Sequence, residues 1–266
     1  MSLTDIHFRF EARSLQRLHK VPILSPILIW VRSGTKRMHT HSQPIECPAD
    51  HCLILPPVEA RHMENIPSTQ GVYLAEVFAP PRAWTVRFMQ RYGPLLPTHW
   101  QPEPQFACPA LVQHALTNLL QCHGEGALAA TRCELAWYGV LLALAETGHG
   151  APLFNLQPLT LSQRLHTLLR LDLARPWQAA EIAAQLGMSE STMRRGLRHE
   201  GTSFRQLLAE LRLVEAFGLV MCSRHTLQEI AFDCGFQSPS RFSQNFRHFF
   251  GMSPSELRAS QEKQGV

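Results

Sequence analysis

The sequence predicts an α+β chain. A β-rich N-terminal part carrying a helix pair precedes an all-α part, in which two similar helix-turn-helix units are joined by one long helix. Three observations carry this reading. Residues 23–79 alternate and stop at turn residues as strands do. From Pro109 onward the apolar residues fall at helical spacing. One construction, Glu-Ile-Ala, three residues, Gly and an apolar residue, occurs twice, at 181–188 and 229–236.

In order, "ILIWV" runs into a turn at "RSGTK", "RMHTH" alternates, "HCLIL" stops at "PP", and "VYLAEVF" ends at "APP". "ALVQHALTNLL" and "ATRCELAWYGVLLALAE" read as two helices separated by "HGEG", an antiparallel pair. "TGHGAPLFNLQP" is the linker candidate, rich in Gly and Pro. The expected division is a β domain over 1–147, a linker over 148–158 and a helical domain over 159–266. With 266 residues, 45% of them hydrophobic, the chain has ample material for two cores.

Composition excludes several classes. The seven cysteines are scattered and never in C-x-x-C spacing, against a zinc ribbon or disulfide scaffold and in favour of reduced, cytoplasmic thiols. The N-terminal segment lacks an apolar signal core, and the longest apolar stretch, "VPILSPILIWV", is far short of the roughly 20 residues a spanning helix needs, so no membrane partner is expected. No Walker loop, G-x-S-x-G, H-E-x-x-H or dinucleotide fingerprint is present, and no catalytic residue or cofactor is assigned. Net charge is +4, and beyond Leu159 thirteen Arg or Lys stand against ten Asp or Glu. The excess is small. Its clustering, Arg194, Arg195 and Arg198, then Arg241 and Arg247, matters more to a polyanion.

Within each repeat, Ile182 and Ile230 pin a first helix, and Ala183 and Ala231 are small where helices cross. Gly187 and Gly235 take the turn, and Ser189 and Ser238 cap a second helix, with Pro239 at its first position. Met193, Leu197, Phe242 and Phe246 face inward. Ser191, Arg194, Arg195 and Arg198 then face outward in the first unit, and Ser240, Arg241, Ser243, Gln244 and Arg247 in the second. Between the repeats, "TSFRQLLAELRLVEAFGLVM" opens with a capping box, Ser203 with Gln206, and reads as one long helix. Such a spacer sets two recognition helices into successive major grooves of B-DNA, about 34 Å apart.

Residues 160–258, through "EIAAQLGMSESTMRRGL", "EGTSFRQLLAELR", "EIAFDCGF", "SPSRFSQNFRHFFGMSPSELR" and Trp177, resemble the DNA-binding domain of the AraC/XylS family of bacterial transcription regulators. The N-terminal part, with "ILIWVRSG" and later "LILPP", is similar to that family's cupin-like sensor domain. Its layout is nearest the branch of fatty-acid-responsive virulence and acid-stress regulators of enteric bacteria. The resemblance implies a cytoplasmic activator that contacts double-stranded promoter DNA and RNA polymerase. It places base-edge readers at Ser191, Arg194, Arg195, Ser240 and Gln244, and backbone contacts at Arg198 and Arg247.

For the sensor the resemblance implies a small amphipathic effector such as a fatty acid. The lysines that clamp its carboxylate in that branch fall near Ile27 and Met221, which cannot do so. Arg9, Arg13 and Lys20, or Arg224 in the helical part, are the substitutes the sequence offers. "HTH" at 39–41 with Glu46 and His62 invites a cupin metal site, but the histidines follow the turn at Gly34 instead of preceding it, and no metal is assigned. Leu116, Leu119, Leu120, Trp137, Leu141, Leu142 and Leu144 on the helix pair are more than one sheet face needs. They are either internal core or part of a homodimer interface.

Overall fold

The computed structural model describes residues 6–40, 43–122 and 128–261. The chain divides into two units, one comprising residues up to Leu156 together with Ser260 and beyond, the other Gln157–Ala259.

The N-terminal unit contains strands β1 (His7–Ala12), β2 (Gln16–Ile23), β3 (Ile27–Ser33), β4 (Thr35–Met38), β5 (Ile45–Pro48), β6 (His51–Leu55), β7 (Val58–Ile66) and β8 (Tyr73–Phe78). Helix α1 (Arg82–Tyr92), strand β9 (Gln105–Ala107) and helices α2 (Ala110–Leu120), α3 (Ala129–Glu146) and α4 (Ala151–Phe154) follow. The strands form two antiparallel sheets, β1-β8-β3-β6-β9 and β2-β7-β4-β5. Strand β3 shows why both faces of the first sheet are apolar. Ile29 and Val31 point between the sheets, with Met38, Leu53, Met63 and Ala75, whereas Leu28 and Trp30 pack outward against the helices with Phe88, Leu116 and Trp137. The β3–β4 turn needs Gly34, whose φ is +75° and where a Cβ would lie 2.3 Å from the Ile66 carbonyl oxygen.

The strands and the helix pair expected from sequence are present, with differences. "HFRFEA" and "QRLHKVPI" are strands β1 and β2, and "RAWTVRFMQRY" is helix α1; none of these was expected. Strand β4 ends at Met38, so His39 is not on a strand, and His41 lies outside the described residues. The "HGEG" loop also lies outside them. Within the stretch expected as linker, α4 buries Leu153 and Phe154 in the N-terminal core, and the units part after Leu156.

The second unit holds seven helices among the described residues: α5 (Leu161–Leu169), α6 (Ala179–Gln185), α7 (Glu190–His199), α8 (Phe204–Cys222), α9 (Leu227–Asp233), α10 (Pro239–Phe250) and α11 (Pro254–Ala259). The spacer is the single 19-residue helix α8. Ser203 caps it by accepting from the Gln206 amide, but the Gln206 side chain turns to Glu210 instead of closing the box.

Candidate nucleic-acid interface

Helices α6–α7 and α9–α10 are the two repeats folded. In each, the turn glycine takes a positive φ, +70° at Gly187 and +80° at Gly235. Ser189 and Ser238 then cap the second helices, accepting from the Thr192 and Arg241 amides. Met193 and Leu197 in α7, and Phe242, Phe246 and Phe250 in α10, are wholly buried. Each such side chain contributes roughly 1.5–3 kcal/mol. The Phe rings stack on one another and on Phe217 of α8, with centroids 4.6 Å apart for Phe246–Phe250 and 5.0 Å for Phe217–Phe250.

With one face anchored in this way, the other must face solvent. Ser191, Arg194, Arg195 and Arg198 are exposed on α7, as are Ser240, Arg241, Gln244 and Arg247 on α10. Arg195, Arg198 and Gln244 have no side-chain partner among the described residues. Two arginines are engaged. Arg194 donates from Nε to Glu190 Oε1 at 2.7 Å, one helical turn back, and Arg247 meets Glu256 in the first turn of α11 at 3.2 Å. The Glu190–Arg194 spacing of four was visible in the sequence, whereas the Arg247–Glu256 pair depends on how α11 folds back.

Three contacts missed in the sequence brace the surroundings of the first repeat. Glu200, just past α7, accepts from the Leu161 and Ser162 amides at 2.7 and 2.9 Å and so caps α5 from a distance. Against the opposing effect of partial burial, the Ser162 hydroxyl, which donates at 2.6 Å, and then these amides hold its carboxyl below the usual range. Arg212 of α8 donates to the carbonyls of Leu173 and Arg175 at 3.0 and 3.1 Å, tying α8 to the loop that leads into the first repeat. In that loop the Trp177 indole N–H donates to the Asp172 carbonyl at 2.7 Å, and the Arg175 guanidinium lies over its ring.

This plan of paired, capped helices on a long spacer matches known proteins. Residues 182–260 match the family described as "Helix-turn-helix domain". The regulator GadX of Escherichia coli K12 is 35% identical over 123 residues, 46% of this chain and 44% of GadX. The helical unit belongs to the AraC/XylS family of DNA-binding domains. The chain thus spans under half the length of the GadX relatives it matches. The Escherichia coli urease operon transcriptional activator aligns along 95% of this chain and 90% of its own length at 24% identity. Two crystal structures of ToxT from Vibrio cholerae share the fold of the whole chain: an apo form (TM-score 0.70, 15% identity, 96% and 97% coverage) and an unsaturated-fatty-acid-bound form (0.64, 16%, 98% and 96%). The AraC/XylS-type unit therefore follows an N-terminal unit of the same double-sheet architecture as that of ToxT.

The sensor residues offered by the sequence fall outside the space between the sheets. Arg9 lies 3.5 Å from Glu76, and Arg13 pairs with Glu11 at 2.6 Å. Lys20 is exposed in a left-handed backbone conformation, and Arg224 is exposed in the AraC/XylS-type unit. The candidate dimer residues Leu116, Leu119, Trp137, Leu141 and Leu144 are fully buried inside the N-terminal unit, and Leu120 packs against the same core. Only Leu142 of that set is exposed.

Proposed function

We propose that the chain is a sequence-specific transcription regulator acting on promoter DNA in the cytoplasm through α7 and α10. The carrying observation is the division of both helices into a fully buried apolar face and a solvent face of arginine, serine and glutamine. Arginine pairs bidentately with guanine and glutamine with adenine, each worth about 1–3 kcal/mol of discrimination. Base readout is assigned to Ser191, Arg194, Arg195, Ser240 and Gln244, and phosphate contact to Arg198, Arg241 and Arg247. No catalytic step is assigned. Activation through RNA polymerase accords with relatives named as activators, the urease operon protein and FapR. The test is a genome-wide footprint followed by affinity measurements on the sites found. Arg195→Ala and Gln244→Ala are each expected to weaken binding by about 1–3 kcal/mol and to relax preference at different base pairs. Unchanged affinity in both variants would reject the docking.

Homodimerisation finds its support on a different face from the one expected. Leu128, at the N-cap of α3, and Leu135 and Leu142 within the helix recur every seventh residue and are 70%, 61% and 40% exposed. A leucine at every seventh position supplies one of the two seam positions of a coiled-coil heptad, and we assign the dimer contact to this exposed row. Sedimentation of the full chain with Leu135→Glu, expected to be monomeric, tests this.

The N-terminal unit is read as a receiver for an amphipathic carboxylate. The support is the fold it shares with ToxT, which has been solved with an unsaturated fatty acid bound. Binding would shift the regulator by its differential affinity for two states.

A further inference from the structure

One row of polar side chains interrupts the apolar space between the two sheets. Gln16, Asn65, Lys36 and Cys47 lie in register across β2, β7, β4 and β5, because Gln16 pairs with Asn65, and Lys36 with both Asn65 and Cys47. All four are buried, Lys36 being only 4% exposed. Lys36 Nζ donates to Asn65 Oδ1 at 2.9 Å, Asn65 Nδ2 to Gln16 Oε1 at 2.7 Å, and Gln16 Nε2 to Ser260 Oγ, a residue of the same unit, at 2.7 Å. The amides of the row are thus provided for, but the ammonium is not. It has three N–H bonds and one acceptor, and no Asp or Glu pairs with it among the described residues. Cys47 cannot serve as its counter-ion, since burial pushes that thiol up to about 12. Burial lowers Lys36 only to about 8, so it remains a cation at neutral pH. On the facing sheet, Tyr73 is fully buried with its hydroxyl unpartnered, and burial raises its pKa, leaving it a proton donor.

Lys36 and Tyr73 both lie within electrostatic range of Cys47. A buried cation with no acid paired to it among the described residues, sharing that neighbourhood with an unused hydroxyl donor, is costly to keep unless something supplies the missing acceptors. A carboxylate does so, because its two oxygens can accept from an ammonium and a phenol together. We propose that Lys36 and Tyr73 bind the carboxylate of the effector between the two sheets, an inference that rests on the effector reading of the N-terminal unit. The neighbouring side chains suit the rest of such a molecule. Met38 and Met63 are unbranched and yield to an incoming apolar chain, and Leu53, Val31 and Ala75 continue the apolar wall. No arginine is involved, and neither of the two positions where the related branch carries its lysines is used.

Calorimetry on the full chain tests the assignment with decanoate and oleate, with decanol as the uncharged control, and with acetate and phosphate as small anions. Decanoate and oleate are expected to bind saturably and decanol at least about tenfold more weakly, the worth of one charge-assisted hydrogen bond. Binding of acetate or phosphate as tight as that of decanoate would assign the site to a free anion and overturn the amphipathic effector. Lys36→Met, which keeps the length and removes the charge, should weaken decanoate by about tenfold or more, and Tyr73→Phe by less. Without ligand, Lys36→Met should melt higher than the parent, as an uncompensated buried charge requires. If both variants bind decanoate as the parent does, the site is wrong and the effector reading survives. If the parent binds no carboxylate, the effector reading itself fails. Should Lys36→Met not fold, Tyr73→Phe decides alone.

Discussion

The two helix-turn-helix repeats look interchangeable in sequence and are not so in structure. The space around Gly187 is open: a Cβ there would meet nothing within 4 Å. At the equivalent Gly235, a Cβ would lie 2.4 Å from the Leu173 carbonyl oxygen and 2.8 Å from the Arg212 guanidinium. The first glycine is needed only for its backbone angle. The second is also a contact point, where the turn of the second repeat presses on the loop entering the first, with Arg212 bonded to that same carbonyl. The repeats are therefore held in place relative to each other by a backbone contact as well as by the spacer helix. A repeated pattern conveys local conformation, and this example shows that it conveys nothing about which copy is wedged.

The largest expected effect breaks that equivalence directly. Gly187→Ala should cost about 1 kcal/mol, the strain of a left-handed residue with a Cβ. Gly235→Ala adds a backbone collision and displaces the Arg212 hydrogen bonds, for a loss on the order of 3 kcal/mol or more. Chemical denaturation followed by circular dichroism separates the two, and equal losses would remove the argument for a wedge.

A second contrast is acid sensitivity. His166 of α5 is half-buried beside the first repeat; burial, then the Arg170 charge, pushes it down to about 4, against an opposing influence of Glu200. The unfolded chain takes up this proton near pH 6.5, while the folded chain resists until about pH 4. The contribution of His166 is thus complete above pH 6.5 and is lost progressively as pH falls toward 4, about 1.4 kcal/mol per unit. In and just after the second repeat the low-lying groups are carboxylates, Glu229 held down by Thr226 and Glu256 by Ser253, so their losses begin only once pH falls into the usual carboxylate range. Hydrogen exchange should show α5 and α7 amides losing protection between pH 6.5 and 5 before those of α9 and α10. His166→Leu should abolish the difference.

How far these sites were legible follows from the range of the forces involved. The caps at Ser189 and Ser238, the turn glycines and the Met193, Leu197, Phe242 and Phe246 faces depend on residues within one or two helical turns, and they were visible. Strand β2 was not visible, because its pairing with β7 shifts register twice and Lys20 bends it, which destroys the alternation. Helix α1 begins after Pro81 with no side-chain cap and no acid in its first turn, so nothing announced it. The sequence reads Lys36 into the turn "RSGTK", whereas β4 starts at Thr35 and places Lys36 and Met38 on one strand face. That this face is sealed depends on the pairing of Lys36 with Asn65, 29 residues away, and on the packing of the other sheet, which carries Tyr73, over it.

The solvent faces of α7 and α10 differ in charge, and salt should expose this. Helix α10 contains no acid and presents neutral Gln244, whereas α7 presents Arg195 next to an Arg194 already held by Glu190. Arg195→Ala should therefore reduce the steepness of log affinity against log salt by about 0.9 if it also neutralises a phosphate, and Gln244→Ala should leave the slope alone. Arg194→Ala is expected to weaken binding less than Arg195→Ala, since DNA must first free it from Glu190. A larger effect at Arg194 would mean that the ion pair orients this arginine for DNA.

The smallest expected effect concerns the first helix of each repeat. Helix α9 starts with a complete capping box, Thr226 accepting from the Glu229 amide while the Glu229 carboxylate accepts from the Thr226 amide at 2.7 Å. Helix α6 starts at Gln178, whose backbone is extended as a cap requires but whose side chain makes no capping bond. Its third position is Glu181, so Gln178→Thr would recreate the pattern of α9. Thr226→Ala should destabilise by about 1 kcal/mol, and Gln178→Thr should stabilise by roughly 0.5 kcal/mol. The gain is the smaller because Glu181 is already paired with Arg175 and would have to leave it to close the box. Gln178→Val, which has the shape of threonine without the hydroxyl, separates capping from β-branching. If Val stabilises as much as Thr, the missing cap is not what makes α6 the weaker start.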